Sequence, residues 1–225
     1  MSDVRALLAI AWKDLRSEAR SRAATVATVF FSSVTLVVLA FALGRDADVM
    51  TRAAPGVLWV ALAFSGVISA AQAYQSDLIE GAFEQLLTLP VPRAAVFLGK
   101  LLTNWLTMTI LGWVLLPVTA ILFDAPIGSG IPILLLTIAL GTLGFSIIAT
   151  FYAALTANLQ ARESLLPVLM FPVVVPVLLA AVRATDAIVT GGDPSLAGDW
   201  VQLLAGFDLV YLVVTSAIFH IVVEE

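Results

Sequence analysis

The chain has 225 residues, of which 61% are hydrophobic and only 12% charged, with a mean hydropathy of +1.06 and a formal net charge of −5. That balance excludes an ordinary soluble domain, in which roughly a quarter of residues are charged. It also leaves no basic stripe for nucleic acid, and the absence of cysteine excludes disulfide chemistry within the chain.

A membrane-spanning helix needs about 20 predominantly apolar residues. About six such runs occur, from Thr25 to Leu43, Ala53 to Tyr74, Leu101 to Phe123, Ile131 to Ala157, Leu165 to Val182 and Trp200 to Val223. They predict an all-α integral membrane protein forming one transmembrane domain over residues 1–225. A β-barrel would show short alternating segments instead.

Residues 1–22 precede the first span and read as an amphipathic helix in the inner interface. Leu8, Trp12 and Leu15 share one face, while Lys13, Arg16 and Arg20 share another that suits lipid headgroups. The first apolar run ends in Ala40, Phe41 and Ala42, an A-x-A pattern, but it is longer than the 7 to 15 residues typical of a signal-peptide core, so it reads as a retained helix. Within and after it, Ala40 with Gly44 and Gly66 with Ala70 have the small-xxx-small spacing of helix contacts.

Lys and Arg resist translocation and so set orientation. With the N-terminus inside, cytoplasmic segments hold Arg5, Lys13, Arg16, Arg20, Arg22, Arg93, Lys100 and Arg162, and outer loops hold Arg45, Arg52 and Arg183. Both termini are therefore expected in the cytoplasm.

The connection between the second and third spans, residues 76–92, has a pattern of its own. Asp77 and Glu80 have the spacing of an N-cap with its reciprocal carboxylate. Asp77, Glu80 and Glu84 recur on one side, Ile79, Phe83 and Leu86 on the other, with Leu87 adjoining the apolar side. Pro90 and Pro92 close the segment. A capped, two-faced cytoplasmic helix is a docking surface for a partner, and its acidic face would be repelled by an anionic leaflet.

Further along, Pro167, Pro172 and Pro176 interrupt the fifth span and read either as a hinge or as a static bend. Asn104 and Gln72 suit interhelical hydrogen bonds. Asp208 is the intramembrane polar residue with the strongest functional prior; it pairs with Arg183, lines a polar path, or reaches the outer surface if its span begins later. Trp59, Trp105 and Trp113 read as interfacial anchors in preference to a porphyrin stack, and the sole histidine, His220, as an interfacial residue.

No enzymatic constellation emerges. The one Gly-Lys pair, Gly99 and Lys100, is followed by Leu101, and Ala94 stands where a P-loop requires its first glycine. No metal-ligand set is evident, and one histidine makes no triad. Energy, if used, has to come from another subunit.

The residues from Ala54 to Leu62 (APGVLWVAL), Asp77 to Trp105 (DLIEGAFEQLLTLPVPRAAVFLGKLLTNW) and Ser164 to Ala180 (SLLPVLMFPVVVPVLLA), with the tail FDLVYLVV and terminal Glu224 and Glu225, resemble haem exporter protein B, the CcmB family. The similarity covers nearly the whole chain, and the EGAFEQLLTLPVPR block with the three-proline span is its specific part. The resemblance implies a six-helix permease of the type-2 ABC exporter class in the bacterial inner membrane. It further implies a separate ATPase subunit carrying ATP-Mg and a haem-handling membrane subunit, with residues 76–92 as the coupling helix. The chain itself is expected to bind no cofactor, since it shows no convincing axial ligand; haem is expected as substrate or on the partner.

Two functions stay open: a transporter half that conducts haem, and a non-conducting coupler that reshapes a haem-handling neighbour. An exporter of lipid or glycan is a broader third. Pairing of two copies and pairing of one copy with a different membrane subunit are likewise both open.

Overall fold

The computed structural model describes residues 3–20, 22–44, 46–79, 93–156, 162–191 and 194–222. In chain order the described helices are α1 (Asp3–Arg20), α2 (Arg22–Leu43), α3 (Ala47–Ile79), α4 (Arg93–Leu122), α5 (Ile131–Thr156), α6 (Arg162–Val189) and α7 (Pro194–Val222), with a single 3₁₀ turn at Gly128–Gly130. Six of them, α2 to α7, are long and apolar enough to cross a membrane. The all-α, six-span expectation holds.

Helix α5 is the axis of the bundle, in contact with α3, α4, α6 and α7. Its sequence explains the position: it carries no charged residue, and Gly141, Gly144, Ser146, Ala149 and Ala153 give it buried small residues on several faces. A helix that is apolar all round belongs inside a bundle. Association in lipid gains little from the hydrophobic effect, so close packing of such small residues supplies the cohesion. Phe145 illustrates this by lying against Gly66 of α3, where any Cβ at Gly66 would collide with its ring and would also meet Met108 of α4.

Helices α2 and α7 are peripheral. Phe30, Phe41, Leu209 and Val213 are exposed on them, which suits contact with acyl chains. The turn between α2 and α3 is tight. Gly44 adopts φ 83° after the last helical residue, the left-handed stop that glycine takes most easily. Asp46 then caps α3, its Oδ1 accepting from the amides of Asp48 (3.0 Å) and Val49 (3.3 Å). Gly44 is therefore a helix stop and not a contact, since nothing lies within 4 Å of its would-be Cβ, and the Ala40 and Gly44 spacing does not mark a helix contact.

Several span boundaries shift. The second starts at Ala47, the third at Ala94 and the last at Ser195, each earlier than the hydropathy pattern alone places it, and the fifth runs on to Val189. Asp208 then lies about 20 Å along α7 from Ser195 at 1.5 Å per residue, near the middle of a hydrocarbon core about 30 Å thick.

Candidate functional site

Six crossings bring two sets of loops to opposite ends of the bundle. At one end stand α1, the ends of α3, α5 and α7, and the starts of α4 and α6. This end frames the connection proposed to engage a partner. Helix α3 runs unbroken through Asp77 to Ile79, so Asp77 is an interior helical residue and not the N-cap of a separate helix. The interior position follows because the helical hydrogen bonds of α3 continue past Tyr74, where hydropathy falls but backbone pairing does not. Glu80, Phe83, Glu84, Leu86 and Leu87, and the prolines that close the segment, lie outside the described residues.

Helix α1 is docked against the start of α4. Its buried face is Ala6, Ile10 and Ala11. Ile10 lies against Gly99, where an added Cβ would meet its Cγ2 at 2.9 Å. The Thr103 hydroxyl donates to the Ala11 carbonyl at 3.3 Å. Lys100, only 2% exposed, directs its ammonium at Asp14 (3.5 Å), whose other oxygen takes Lys13 at 3.0 Å. A buried cation needs such a partner. Lys100 thus fastens α1 to α4, a role far from phosphate binding.

Trp12 is 68% exposed, and Lys13 and Arg16 are also exposed. The amphipathic pattern captures these two faces but misses the third, where small residues meet α4. The backbone of Arg20 ends α1, and its side chain lies outside the described set.

Inside the bundle, polar side chains cross-link the helices. Ser32 of α2 bonds Ser65 of α3, Ser69 of α3 donates to Asn104 Oδ1 (3.0 Å), and Thr109 of α4 meets Thr142 of α5 (2.8 Å). The expected interhelical role of Asn104 is met on one side, while its Nδ2 has no hydrogen-bond partner among the described residues; Gln72 Oε1, Ser146 Oγ and Thr150 Oγ1 are in the same position. Thr142, Ser146 and Thr150 recur every fourth residue on one face of α5.

Asp208 is 4% exposed and neither carboxylate oxygen has a hydrogen-bond partner among the described residues. It does not reach the outer surface, and it does not pair with Arg183, which is exposed elsewhere on α6. Both alternatives fail because the last span starts early and carries Asp208 inward. It packs instead against Gly144 of α5 and near Val177 of α6.

The three tryptophans are hydrogen-bonded parts of the bundle. Trp59 Nε1 donates to Thr185 Oγ1 (3.0 Å), Trp105 to the Ala139 carbonyl (2.8 Å) and Trp113 to the Leu135 carbonyl (3.2 Å). Pro167, Pro172 and Pro176 all lie inside one continuous helix, α6. The Tyr211 hydroxyl of α7 donates to the Val173 carbonyl at 3.0 Å, next to the turn loosened by Pro176. His220 lies in α7, its side chain outside the described residues.

At the opposite end is a recess of about 660 Å³ lined by Asp48, Thr51, Arg52, Pro126, Asp186, Val189, Thr190 and Gly191. Arg52 pairs with Asp48 at 2.9 Å. Sequence reasoning did not identify it, because its polar residues come from helix ends far apart in the chain.

Fold and site together define a polytopic α-helical membrane component whose N-terminal helix is fastened to the start of α4. A family model described as CcmB protein matches residues 5–224. The chain belongs to the CcmB family. Similar proteins include the "Heme exporter protein B" of Paracoccus denitrificans, 29% identical over 82% of this chain and 84% of that protein. The protein of the same name from Pseudomonas aeruginosa is 32% identical over 72% of each chain. That of Escherichia coli is 28% identical over 77% of this chain and 79% of its own.

Proposed function

We propose that this chain is the transmembrane subunit of the ABC system of cytochrome c maturation, and that it transmits the motion of a separate ATPase through residues 76–92. It lies in the inner membrane with both termini in the cytoplasm, the side indicated by its Lys and Arg distribution. The observation that carries this reading is the fastening of α1 to the start of α4 by Lys100 and Asp14 at 3.5 Å. Motion of the connection is then delivered to α3, α4 and α1 as one unit. On this reading the chain is a non-enzymatic permease subunit that works with the ATPase and a haem-handling membrane subunit. Haem is the substrate, handled by this chain or by that neighbour.

The coupler form is favoured by the bundle interior, where Trp59, Phe145 and Met108 are buried and the indoles are committed to interhelical bonds. A conducting form is supported by one observation, the buried polar atoms of Asp208, Ser146, Thr150 and Asn104 that have no hydrogen-bond partner among the described residues. Haem titration of the isolated chain and of the assembled complex separates them: binding confined to the complex supports the coupler. Glu80→Lys with Glu84→Lys is expected to reduce co-purification of the ATPase and its ATP turnover while membrane insertion persists. Unchanged co-purification and turnover would remove residues 76–92 from the coupling role.

A further inference from the structure

Helices α3 and α4 bracket residues 76–92, and within their membrane spans they meet through polar side chains. Ser65, Ser69 and Gln72 follow one another at four and three residues, which places them on one face of α3. Ser65 bonds Ser32 of α2, and Ser69 donates to Asn104 Oδ1 of α4 at 3.0 Å.

Two groups remain beside that last bond. Asn104 is 4% exposed and its Nδ2 has no hydrogen-bond partner among the described residues, and the same holds for the buried Oε1 of Gln72. One is a donor and the other an acceptor, and they come from facing helices. Leu62 stands by Gly112, Met108 by Gly66 and Asn104 by Ser69, so α3 and α4 run antiparallel. Gln72 lies three residues beyond Ser69, about 5 Å along α3. Side chains lean toward the N-terminus of their own helix. Gln72 therefore leans back toward the level of Ser69, and Asn104 leans toward that of Gln72.

An unpaired polar group is costly at membrane depth, and a buried water is held by about three hydrogen bonds. We infer that Ser69, Gln72 and Asn104 bind a water molecule between α3 and α4. The water accepts from Asn104 Nδ2–H and donates to Gln72 Oε1 and to the Ser69 hydroxyl oxygen, whose own proton is committed to Asn104 Oδ1. Lys100 stands one turn before Asn104 on α4, so the site continues the polar contacts that fasten α1. A bridging water is nearly as good a partner as a direct bond, and it can follow either helix. The α3 to α4 joint thus yields to small shifts without leaving a polar group unpaired. The site stands whether or not residues 76–92 engage an ATPase.

The test uses the full chain in detergent micelles. It has two asparagines, Asn104 and Asn158, so Asn158→Ser with asparagine-selective nitrogen labelling leaves Asn104 the one labelled residue. Cross-peaks from its side-chain amide to the water resonance are read in nitrogen-edited NOESY and ROESY spectra. Direct contact with a held water gives opposite signs in the two experiments, whereas proton exchange gives the same sign. Peaks of opposite sign are expected; they should persist in Ser69→Ala, which removes any relay through the hydroxyl proton, and be lost in Gln72→Leu. Absence of such peaks in the chain with Ser69 and Gln72 intact overturns the proposal without recourse to any further variant. Their loss in Ser69→Ala, or their survival in Gln72→Leu, overturns it as well. No ATPase is needed, so this failure is separate from any failure of the coupling role.

Discussion

The carboxylate of Asp208 lies against the α-carbon of Gly144, so closely that a methyl group at Gly144 would overlap its Oδ1. The glycine provides the space in which a polar side chain from peripheral α7 is accommodated at the bundle axis. Gly144→Ala should therefore destabilise the fold by about 1–3 kcal/mol, the usual cost of overpacking. Asp208→Ala in the same chain should recover most of that loss. Thermal unfolding in detergent of the two single variants and the double variant measures the coupling; additive effects would show that the two residues do not share this space.

Asp14 and Lys100 should respond unequally to removal. Asp14→Asn takes away the carboxylate that lies 3.5 Å from a cation only 2% exposed, and the loss is expected to reach at most the about 3 kcal/mol seen when one member of a buried pair is removed. Lys100→Met removes the buried charge itself and replaces it with an apolar side chain of similar length, so its cost should be smaller. Limited proteolysis of the α1 to α2 junction, with thermal midpoints, reports both. Equal loss in the two variants would show that packing along Gly99 and Thr103, not charge, secures α1.

Thr185→Val keeps the shape of the side chain while deleting the acceptor of the Trp59 indole. Interhelical hydrogen bonds in membranes average about 0.6 kcal/mol and reach about 1.7. A loss within that range is expected in the unfolding midpoint. A loss several times larger would mean that the α3 to α6 contact depends on this one bond.

Tyr211→Phe deletes the donor to the Val173 carbonyl. The turn around Pro176 then loses an external partner, and amide exchange of residues 173–178 should accelerate while that of α5 stays unchanged. If exchange in α6 is unaltered, the proline turn is held by packing alone and a hinge there loses its support.

Much of the fold was legible in the sequence because lipid imposes a coarse rule: each crossing must be a long apolar helix with its backbone satisfied internally. The runs around Ile131 and Leu165 met that rule without ambiguity. Small-residue spacing was a weaker guide. Gly66 does receive Phe145, whereas Gly44 with the same spacing to Ala40 is a helix stop, because that spacing does not reveal which glycine adopts a positive φ. Asp77 suited a capping position by local pattern, yet α3 continues through it, since a carboxylate three residues before another is equally compatible with a helix interior.

The sequence by itself determined the class of protein, six crossings and an amphipathic helix ahead of them, because these depend on composition and on periodicity within single segments. Tertiary structure decided the partners: Lys100 with Asp14, Trp59 with Thr185, and Asp208 with the space at Gly144. Each joins residues from different helices. Such pairs depend on the rotation and depth of one helix relative to another, and in a bundle held by close packing in lipid those two quantities are set by the neighbouring surfaces together, not by either sequence segment alone.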